Sequence, residues 1–280
     1  MARSVLLTGA SRGIGRAAVG RLAGEGWNVF AGVRQPADGE SLTDEFGAAV
    51  TPVVLDVTDA QHIAGLPAQL PGSLDAVVNN AGVVVGGPVE GLPLEDLRHQ
   101  LEVNVVGQVA VTQAVLPLLR ASRGRVVFVS SLSGKIATPM TGAYNASKFA
   151  LEAIADSLRN ELWPWRIDVS VVEPAQTDTD MWRAADDQLE ATVAGVAPEQ
   201  RELYAQHIEG MRRMIPRAQR IAAPPAGVAD AIVRALTDRR PRPRYIVGAG
   251  PRVQYALAKR MPTTVLDGVL RRQSGITRRY

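Results

Sequence analysis

The stretch TGASRGIGRAAV, residues 8–19, decides the fold. It joins an apolar run, Arg3–Leu7, to a helical pattern, Gly13–Gly24, and carries glycines at 9, 13 and 15. Glycine permits a tight turn and close approach of a diphosphate to the backbone. The helix that follows presents free N–H groups and the positive end of its dipole. The spacing is G-x-x-x-G-x-G rather than G-x-G-x-x-G. A glycine triplet alone says little, but between a first strand and a first helix it reads as a dinucleotide turn.

Outward from this turn, short β-branched runs alternate with helical segments. Arg3–Leu7, Asn28–Val33, Thr51–Leu55, Asp75–Asn79, Arg125–Ser130, Asp168–Val172 and Arg244–Val247 read as strands. Gly13–Gly24, Asp59–Leu70, Leu94–Leu119 and Ala143–Trp163 read as helices, the last stopped at Pro164. Nearly continuous apolar strands separated by helix-length crossovers imply an α/β fold. The sheet is expected to be a doubly wound, Rossmann-type parallel sheet of about seven strands with helices on both faces and its ligands at the carboxyl ends. After Thr179 the rhythm changes: residues 180–225 show helical patterns and no convincing strand, the expected form of a lid. Gly227–Thr237 reads as another helix, and Pro251–Arg272 as a basic amphipathic pair interrupted by Pro262. The expected organisation is one domain over 1–280, with a cofactor-binding and catalytic core at 1–179, a substrate lid at 180–225 and an extension at 239–280.

Composition narrows the class. The chain has 280 residues, 46% of them hydrophobic, and no cysteine, which excludes disulfide staples and thiolate metal sites. His62, His99 and His207 share no ligand spacing, so no metal is expected. The short apolar run near the N-terminus is below signal-peptide length, and no stretch is expected to approach the length of a spanning helix. A cytoplasmic location follows as an expectation. Residues 239–280 hold eleven Arg or Lys against Asp267, so a segment of net charge +10 joins a body of −7. Such a run is either a solvated surface or a peripheral contact with a membrane; no nucleic acid is expected.

The second strand ends VFAGVRQ. Dinucleotide folds place an acid there, about 20 residues past the glycines, to hold the ribose 2′-OH of NAD. Here that position falls at Val33, followed by Arg34. With no carboxylate to repel a 2′-phosphate, and Arg34 and Arg12 able to pair with one, NADP(H) is favoured over NAD(H). Asp56, in LDVTD, can accept from an adenine amino group or cap the next helix, and Asp59 is the better cap.

Residues 144–148 read YNASK, and the lysine is unusual: of 31 basic residues only Lys135, Lys148 and Lys259 are lysines. At i and i+4, Tyr144 and Lys148 share a helix face. A phenol of pKa near 10 is a poor base at neutral pH, and a nearby ammonium lowers that pKa. A slim ammonium suits this task, and reach to ribose hydroxyls, better than a guanidinium fork.

Upstream stand VVFVSSLSG, with Ser131 thirteen residues before Tyr144, NNAG at 79–82, and VNVVG with Asn104. With TGASRGIG and YNASK, these motifs in register resemble the short-chain dehydrogenase/reductase family, and the C-terminal extension and the EP dipeptide at 173–174 look like its hydroxysteroid and retinol dehydrogenase branch. The resemblance runs from residue 5 to about 180. It implies that Tyr144 is general acid in reduction and base in oxidation, and that Lys148 lowers its pKa and binds the nicotinamide ribose. It gives Ser131 the substrate oxygen and Asn104 a proton-relaying water. It also implies cofactor contacts at Gly9, Ser11, Arg12, Gly13, Ile14 and Gly15, at Arg34, Asp56 and Val57, and at Asn79, Ala81 and Gly82. Further contacts are implied at Pro174, Ala175, Thr177 and Thr179, besides Tyr144 and Lys148. In EPAQTDTD, Ala175 replaces the family's glycine and would cost roughly 1 kcal/mol if φ there were positive.

The lid offers Met181, Trp182, Leu189, Val193, Val196, Met211, Met214 and Ile215, and Val83–Val85 follow NNAG. These side chains either line a pocket for a lipophilic alcohol or ketone or pack the lid itself. The expected activity is an alcohol/carbonyl oxidoreductase working on a lipophilic small molecule as a homodimer or homotetramer. The alternatives are reduction of a carrier-bound 3-oxoacyl thioester, or a non-catalytic NADP-binding regulator whose basic tail engages a membrane or nucleic acid.

Overall fold

The computed structural model describes residues 2–278; Arg279 and Tyr280, at the end of the basic extension, lie outside the described residues. Seven parallel strands form one sheet: β1 Ser4–Thr8, β2 Asn28–Val33, β3 Val50–Val54, β4 Ala76–Asn79, β5 Arg125–Val129, β6 Asp168–Glu173 and β7 Arg244–Ile246. Their order is β3-β2-β1-β4-β5-β6-β7. The chain winds outward from β1 to β3, then returns to lay β4 on the other flank of β1. That reversal opens a crevice at the carboxyl ends of β1 and β4, where an open α/β sheet binds ligands.

The first crossovers are α1 Gly13–Gly24, α2 Pro36–Phe46 and α3 Ala60–Gln69. Asp59 caps α3, its Oδ1 accepting from the N–H groups of Gln61 at 2.7 Å and His62 at 3.1 Å. Next, α4 Leu94–Leu101 runs through a π-helical turn, Glu102–Val106, into α5 Gly107–Ser122, which stops at Arg123 in the left-handed region. The expected helix 94–119 is therefore one rod with a wide turn inside it. By length and composition, Leu94–Ser122 is apolar enough to cross a membrane, which corrects the expectation that no stretch approaches that length. Its apolar face has a partner: Val111, Val115 and Leu119 are fully buried in the core of this face.

The long helix α6, Gly142–Glu161, ends where Pro164 enters a short turn. The lid follows as α7 Asp180–Arg183, α8 Ala185–Gly195, α9 Pro198–Leu203 and α10 Ala205–Arg220. The chain closes with α11 Ala226–Thr237, α12 Ala249–Ala258 and α13 Thr263–Gln273. Two cores flank the sheet. One gathers Leu7, Val19, Leu22, Trp27, Val78 and Ile232 beneath α1 and α11; the other gathers Leu6, Leu66, Val77, Phe128, Leu151 and Val171 beneath α3, α5 and α6. Alternate residues of each strand feed opposite cores, as the two-residue period of a strand requires.

Candidate active site

The glycine turn is built by close approach. Gly9 has φ +65°, and a Cβ there would lie 2.9 Å from Ala81 Cα. At Gly15 a Cβ would lie 2.0 Å from the Gly9 carbonyl oxygen, so no side chain fits. Thr8 Oγ1, fully buried, accepts from the N–H groups of Asn80 and Ala81, each at 3.0 Å. Asn80 Nδ2 donates in return to the carbonyls of Thr8 at 3.1 Å and Gly9 at 3.0 Å. The NNAG segment is thus strapped to the turn. Asn80 is absent from the sequence-derived site. Asn79 turns away and donates to Thr112 Oγ1 on α5 at 2.8 Å. The doubled asparagine at a strand end was the signal, and strand alternation separates the two roles.

The N-terminus of α1 has no side-chain cap: Arg12 occupies the N-cap position without a capping bond, and no acid stands in the first turn. The N–H groups of Gly13, Ile14 and Gly15 lie ahead of the helix's own bonding pattern. This donor set, at the sheet's switch point, fits the diphosphate of a nicotinamide dinucleotide. Ser11 gives its carbonyl to Arg16 at 3.3 Å, and Ile14 packs partly buried against the core.

Val33 is buried at the end of β2, while Arg34 and Arg12 are exposed. Asp56 is held below the ordinary carboxylate pKa. Burial pushes it up but is outweighed by the Thr58 N–H and hydroxyl, at 2.9 and 2.7 Å, with the charges of Arg34 and His62. Val57 is buried against α5, its carbonyl 2.4 Å from where a Cβ on Gly107 would stand.

At the end of β5, Ser131 is extended and caps the turn Leu132–Gly134, its Oγ accepting from Ser133 N–H at 3.1 Å. Tyr144, in the first turn of α6, stands beside the Ser131 side chain, which favours the ionised phenol. Burial works the other way and raises the phenol above its ordinary pKa. One turn on, Lys148 is 5% exposed; its Nζ donates to the Val129 carbonyl at 2.9 Å and stands 5.7 Å from the centroid of the Tyr144 ring. Burial pushes the ammonium down to about 8, against the charge of Glu152. The sequence reading had the ammonium depress the phenol. Here the ammonium turns to the Val129 carbonyl, and burial sends the phenol in the opposite direction.

Asn104 lies in the π-helical turn, fully buried. Its Oδ1 accepts from Val83 N–H at 2.8 Å, and Nδ2 donates to the Val83 carbonyl at 3.0 Å and to Ser147 Oγ at 3.1 Å. These bonds tie the segment after Gly82 to α6 between Tyr144 and Lys148 and fix the side chain within the wide turn. Gln100, unremarked in the sequence, braces the same segment through Val85 N–H at 2.7 Å and the Val83 carbonyl at 2.8 Å.

The loop after β6 meets both halves of the site. The Pro174 carbonyl accepts from Leu132 N–H at 3.0 Å, and a Cβ on Gly13 would lie 3.1 Å from the Thr179 methyl. Thr177 is 5% exposed, its hydroxyl bonded to the Ala175 carbonyl at 3.1 Å. Among the described residues, the non-glycines at positive φ are Arg123, Met140 and Arg166. Ala175 is not one of them, so the missing glycine carries no strain.

Residues 3–190 match the model of the short chain dehydrogenase family. The chain belongs to that family. It is 31% identical over 277 residues to the NADPH-dependent 3-dehydrocapnine reductase of Ornithobacterium rhinotracheale, covering 95% of both chains. It is 33% identical over 277 residues to mouse (Mus musculus) retinol dehydrogenase 5, covering 95% of this chain and 87% of that one. Among solved structures, a short chain dehydrogenase from Burkholderia cenocepacia in complex with NADP superposes with a TM-score of 0.75 at 25% identity, covering 96% and 97%. One from Burkholderia phymatum, in complex with NAD, superposes at 0.77 with 24% identity, covering 92% and 93%, and shares the fold. This member of the short chain dehydrogenase family is accordingly an oxidoreductase of the NAD(P)-binding Rossmann type, resembling the retinol and hydroxysteroid dehydrogenase branch.

Proposed function

We propose that the protein interconverts a lipophilic alcohol and its ketone or aldehyde, with NADP(H) as hydride carrier and Tyr144 as the proton-transferring group. One observation carries the reading: the Tyr144 ring stands 5.7 Å from the ammonium of the buried Lys148 and beside Ser131, in a fold whose first helix has an uncapped, glycine-lined N-terminus. The dinucleotide, when bound, supplies or accepts the hydride. Hydride addition to a carbonyl builds negative charge on oxygen, which Ser131 stabilises as a hydrogen-bond donor and Tyr144 neutralises by giving up its proton. A phenol held above its ordinary pKa carries the proton that reduction consumes, and its conjugate base takes the proton back in oxidation. Asn104, its side chain held by Ser147 and Val83, would hold the water that relays the proton to Tyr144.

Residues Gly9 to Gly15 would hold the diphosphate, and Arg34 with Arg12 the 2′-phosphate. Support for NADP(H) comes from the absence of an acid at Val33 and from the cofactor named for the 3-dehydrocapnine reductase relative. Support for a lipophilic substrate is narrower than composition suggests. Leu189, Val193, Ile208 and Ile215 are buried with Met140 in a small core of the lid itself, while Met181 remains 39% exposed. The retinol dehydrogenase relative supports the substrate class further.

The proposed organisation is a cytoplasmic protein of one domain, with a cofactor-binding and catalytic part at 1–179, a substrate lid at 180–225 and a basic extension at 239–280. Pairing of subunits would run through α5 and α6. Incubation with NADPH or NADH and a panel of lipophilic ketones and aldehydes tests the reading. NADPH-preferring turnover that vanishes in Tyr144→Phe supports it; turnover retained in that variant, or confined to carrier-linked 3-oxoacyl thioesters, overturns it.

A further inference from the structure

Behind the catalytic helix lies a cluster of buried charges that the reaction does not consume. Glu152, one turn beyond Lys148 on α6, is 4% exposed, and Glu173, the last residue of β6, is fully buried. Lys135, which follows the Ser131 turn, donates to Glu152 Oε2 at 2.6 Å and stands 3.7 Å from Glu173 Oε1. From β7, Arg244 Nε donates to Glu152 Oε2 at 3.0 Å and lies 3.2 Å from Glu173 Oε1, while its Nη2 reaches Asp156 Oδ2 at 2.7 Å. Asp156 is shared with Arg159.

Four elements converge here, and each is tied to the site. The turn carrying Ser131 fits so closely that a Cβ on Gly134 would lie 3.0 Å from the Lys148 carbonyl oxygen and 3.1 Å from Glu152 Cγ. Glu173 immediately precedes Pro174, whose carbonyl holds the same turn. Lys135 is one of three lysines in a chain that otherwise uses arginine.

A fold-holding ion pair would satisfy its own oxygens. Here Glu152 Oε1 and both Glu173 oxygens take no hydrogen bond from Lys135 or Arg244, and burial with the charge of Glu152 lifts Glu173 to about 7, so the two acids are only partly compensated by the cations. An incompletely matched buried carboxylate projects its charge onto its neighbours, because little water screens it. Along α6, Lys148 stands one turn before Glu152 and Asp156 one turn after it.

We propose that Glu152 and Glu173, balanced by Lys135 and Arg244, are positioning residues that keep Lys148 charged in its buried place and seat the Ser131 turn against it. The inference rests on the Tyr144/Lys148 reading above. Burial drives Lys148 toward neutrality, and the charge of Glu152 opposes that drive. The groups facing this balance are Glu152, Asp156 and the Tyr144 ring from α6, Lys135 from the turn, Glu173 from β6 and Arg244 from β7. Removing an acid should lower the pH at which Lys148 loses its proton, and removing a cation should raise it.

The three-lysine composition makes this directly measurable. In protein labelled with 13Cε-lysine, Lys148 is assigned by its loss in Lys148→Arg, and its chemical shift is followed against pH without substrate. Glu152→Gln should move the Lys148 midpoint down by about one pH unit. Lys135→Gln should move it up by roughly half a unit or more, because Glu152 loses a compensating charge. The alkaline limb of kcat should move in the same two directions. A midpoint unmoved in both variants, or moved in the same direction by both, overturns the proposal and leaves the cluster a structural one. If Glu152→Gln does not fold, Lys135→Gln decides alone, an upward shift supporting and an unmoved midpoint refuting. The titration needs no turnover, so failure to find a substrate would count against the proposed function and not against this result.

Discussion

Replacing Thr8 by valine keeps the branched shape of a fully buried side chain and removes a single oxygen. That oxygen accepts from Asn80 N–H and Ala81 N–H, both at 3.0 Å. A valine methyl leaves two interior donors unsatisfied at the point where β1, the glycine turn and NNAG converge. Each orphaned donor costs about 1–3 kcal/mol, so the expected destabilisation is roughly 2–5 kcal/mol. Thr8→Ser is the control: it keeps the oxygen and loses one methyl, for about 1 kcal/mol. Urea unfolding followed by tryptophan fluorescence measures both variants. In a chain of this size the valine variant should also melt roughly 3–9 °C lower. NADPH binding should weaken in Thr8→Val, because the strap that shapes the diphosphate turn is loosened. A valine variant within about 0.5 kcal/mol of the parent would refute the reasoning, since it would mean that these N–H groups do not depend on Oγ1.

Gly15→Ala places a Cβ 2.0 Å from the Gly9 carbonyl oxygen, so calorimetric titration should show loss of dinucleotide binding. Unchanged affinity would refute the geometry of the turn. Arg34→Ser should weaken NADPH at least tenfold while leaving NADH nearly unchanged, read as a ratio of kcat/KM values, since a bidentate phosphate pair contributes more than about 1.4 kcal/mol. Glu173 is pushed up to about 7 chiefly by burial, with the charge of Glu152 adding and Lys135 and Arg244 opposing, against 4.5 for an ordinary glutamate. The folded chain therefore binds the extra proton between those values. The contribution of this group to stability is complete below 4.5 and is lost as pH rises through 7. Melting temperatures from pH 5 to 8 should show Glu173→Gln gaining on the parent as pH rises, and a constant difference would contradict this assignment.

Most of the sheet was legible because β-branched runs such as VVFV and VSVV leave few alternatives to buried parallel strands. The proposed catalytic pair was legible for a different reason: Tyr144 and Lys148 lie one helical turn apart, so their juxtaposition is local. Helix α2 was missed. PADGESLTDEF is mostly polar, contains a glycine, and buries little beyond Gly39 and Leu42, so no apolar stripe marks it. Only Pro36 at its first position and Asp38 in its first turn announce it. The π-helical turn was also hidden, because a widened turn leaves the apolar period almost intact. Asn80 and Gln100 act through contacts that depend on which way a strand end or helix face points. Glu152, Glu173, Lys135 and Arg244 come from four different elements, and their convergence belongs to the topology. In the lid, methionines and aliphatics read equally as pocket or packing, and the buried set around Met140 shows that much of it is packing.

The claim at the centre of this account is that the Tyr144 hydroxyl delivers the proton that completes carbonyl reduction. The most direct test is single-turnover reduction, with NADPH prebound and a ketone accepted by the parent, comparing the parent with Tyr144→Phe while cofactor affinity is measured in parallel. The account predicts NADPH binding within a few-fold of the parent, with oxidation of the bound NADPH slowed at least 10²-fold, the scale of a lost general acid. NADPH oxidation at the parent rate in the phenylalanine variant would contradict it.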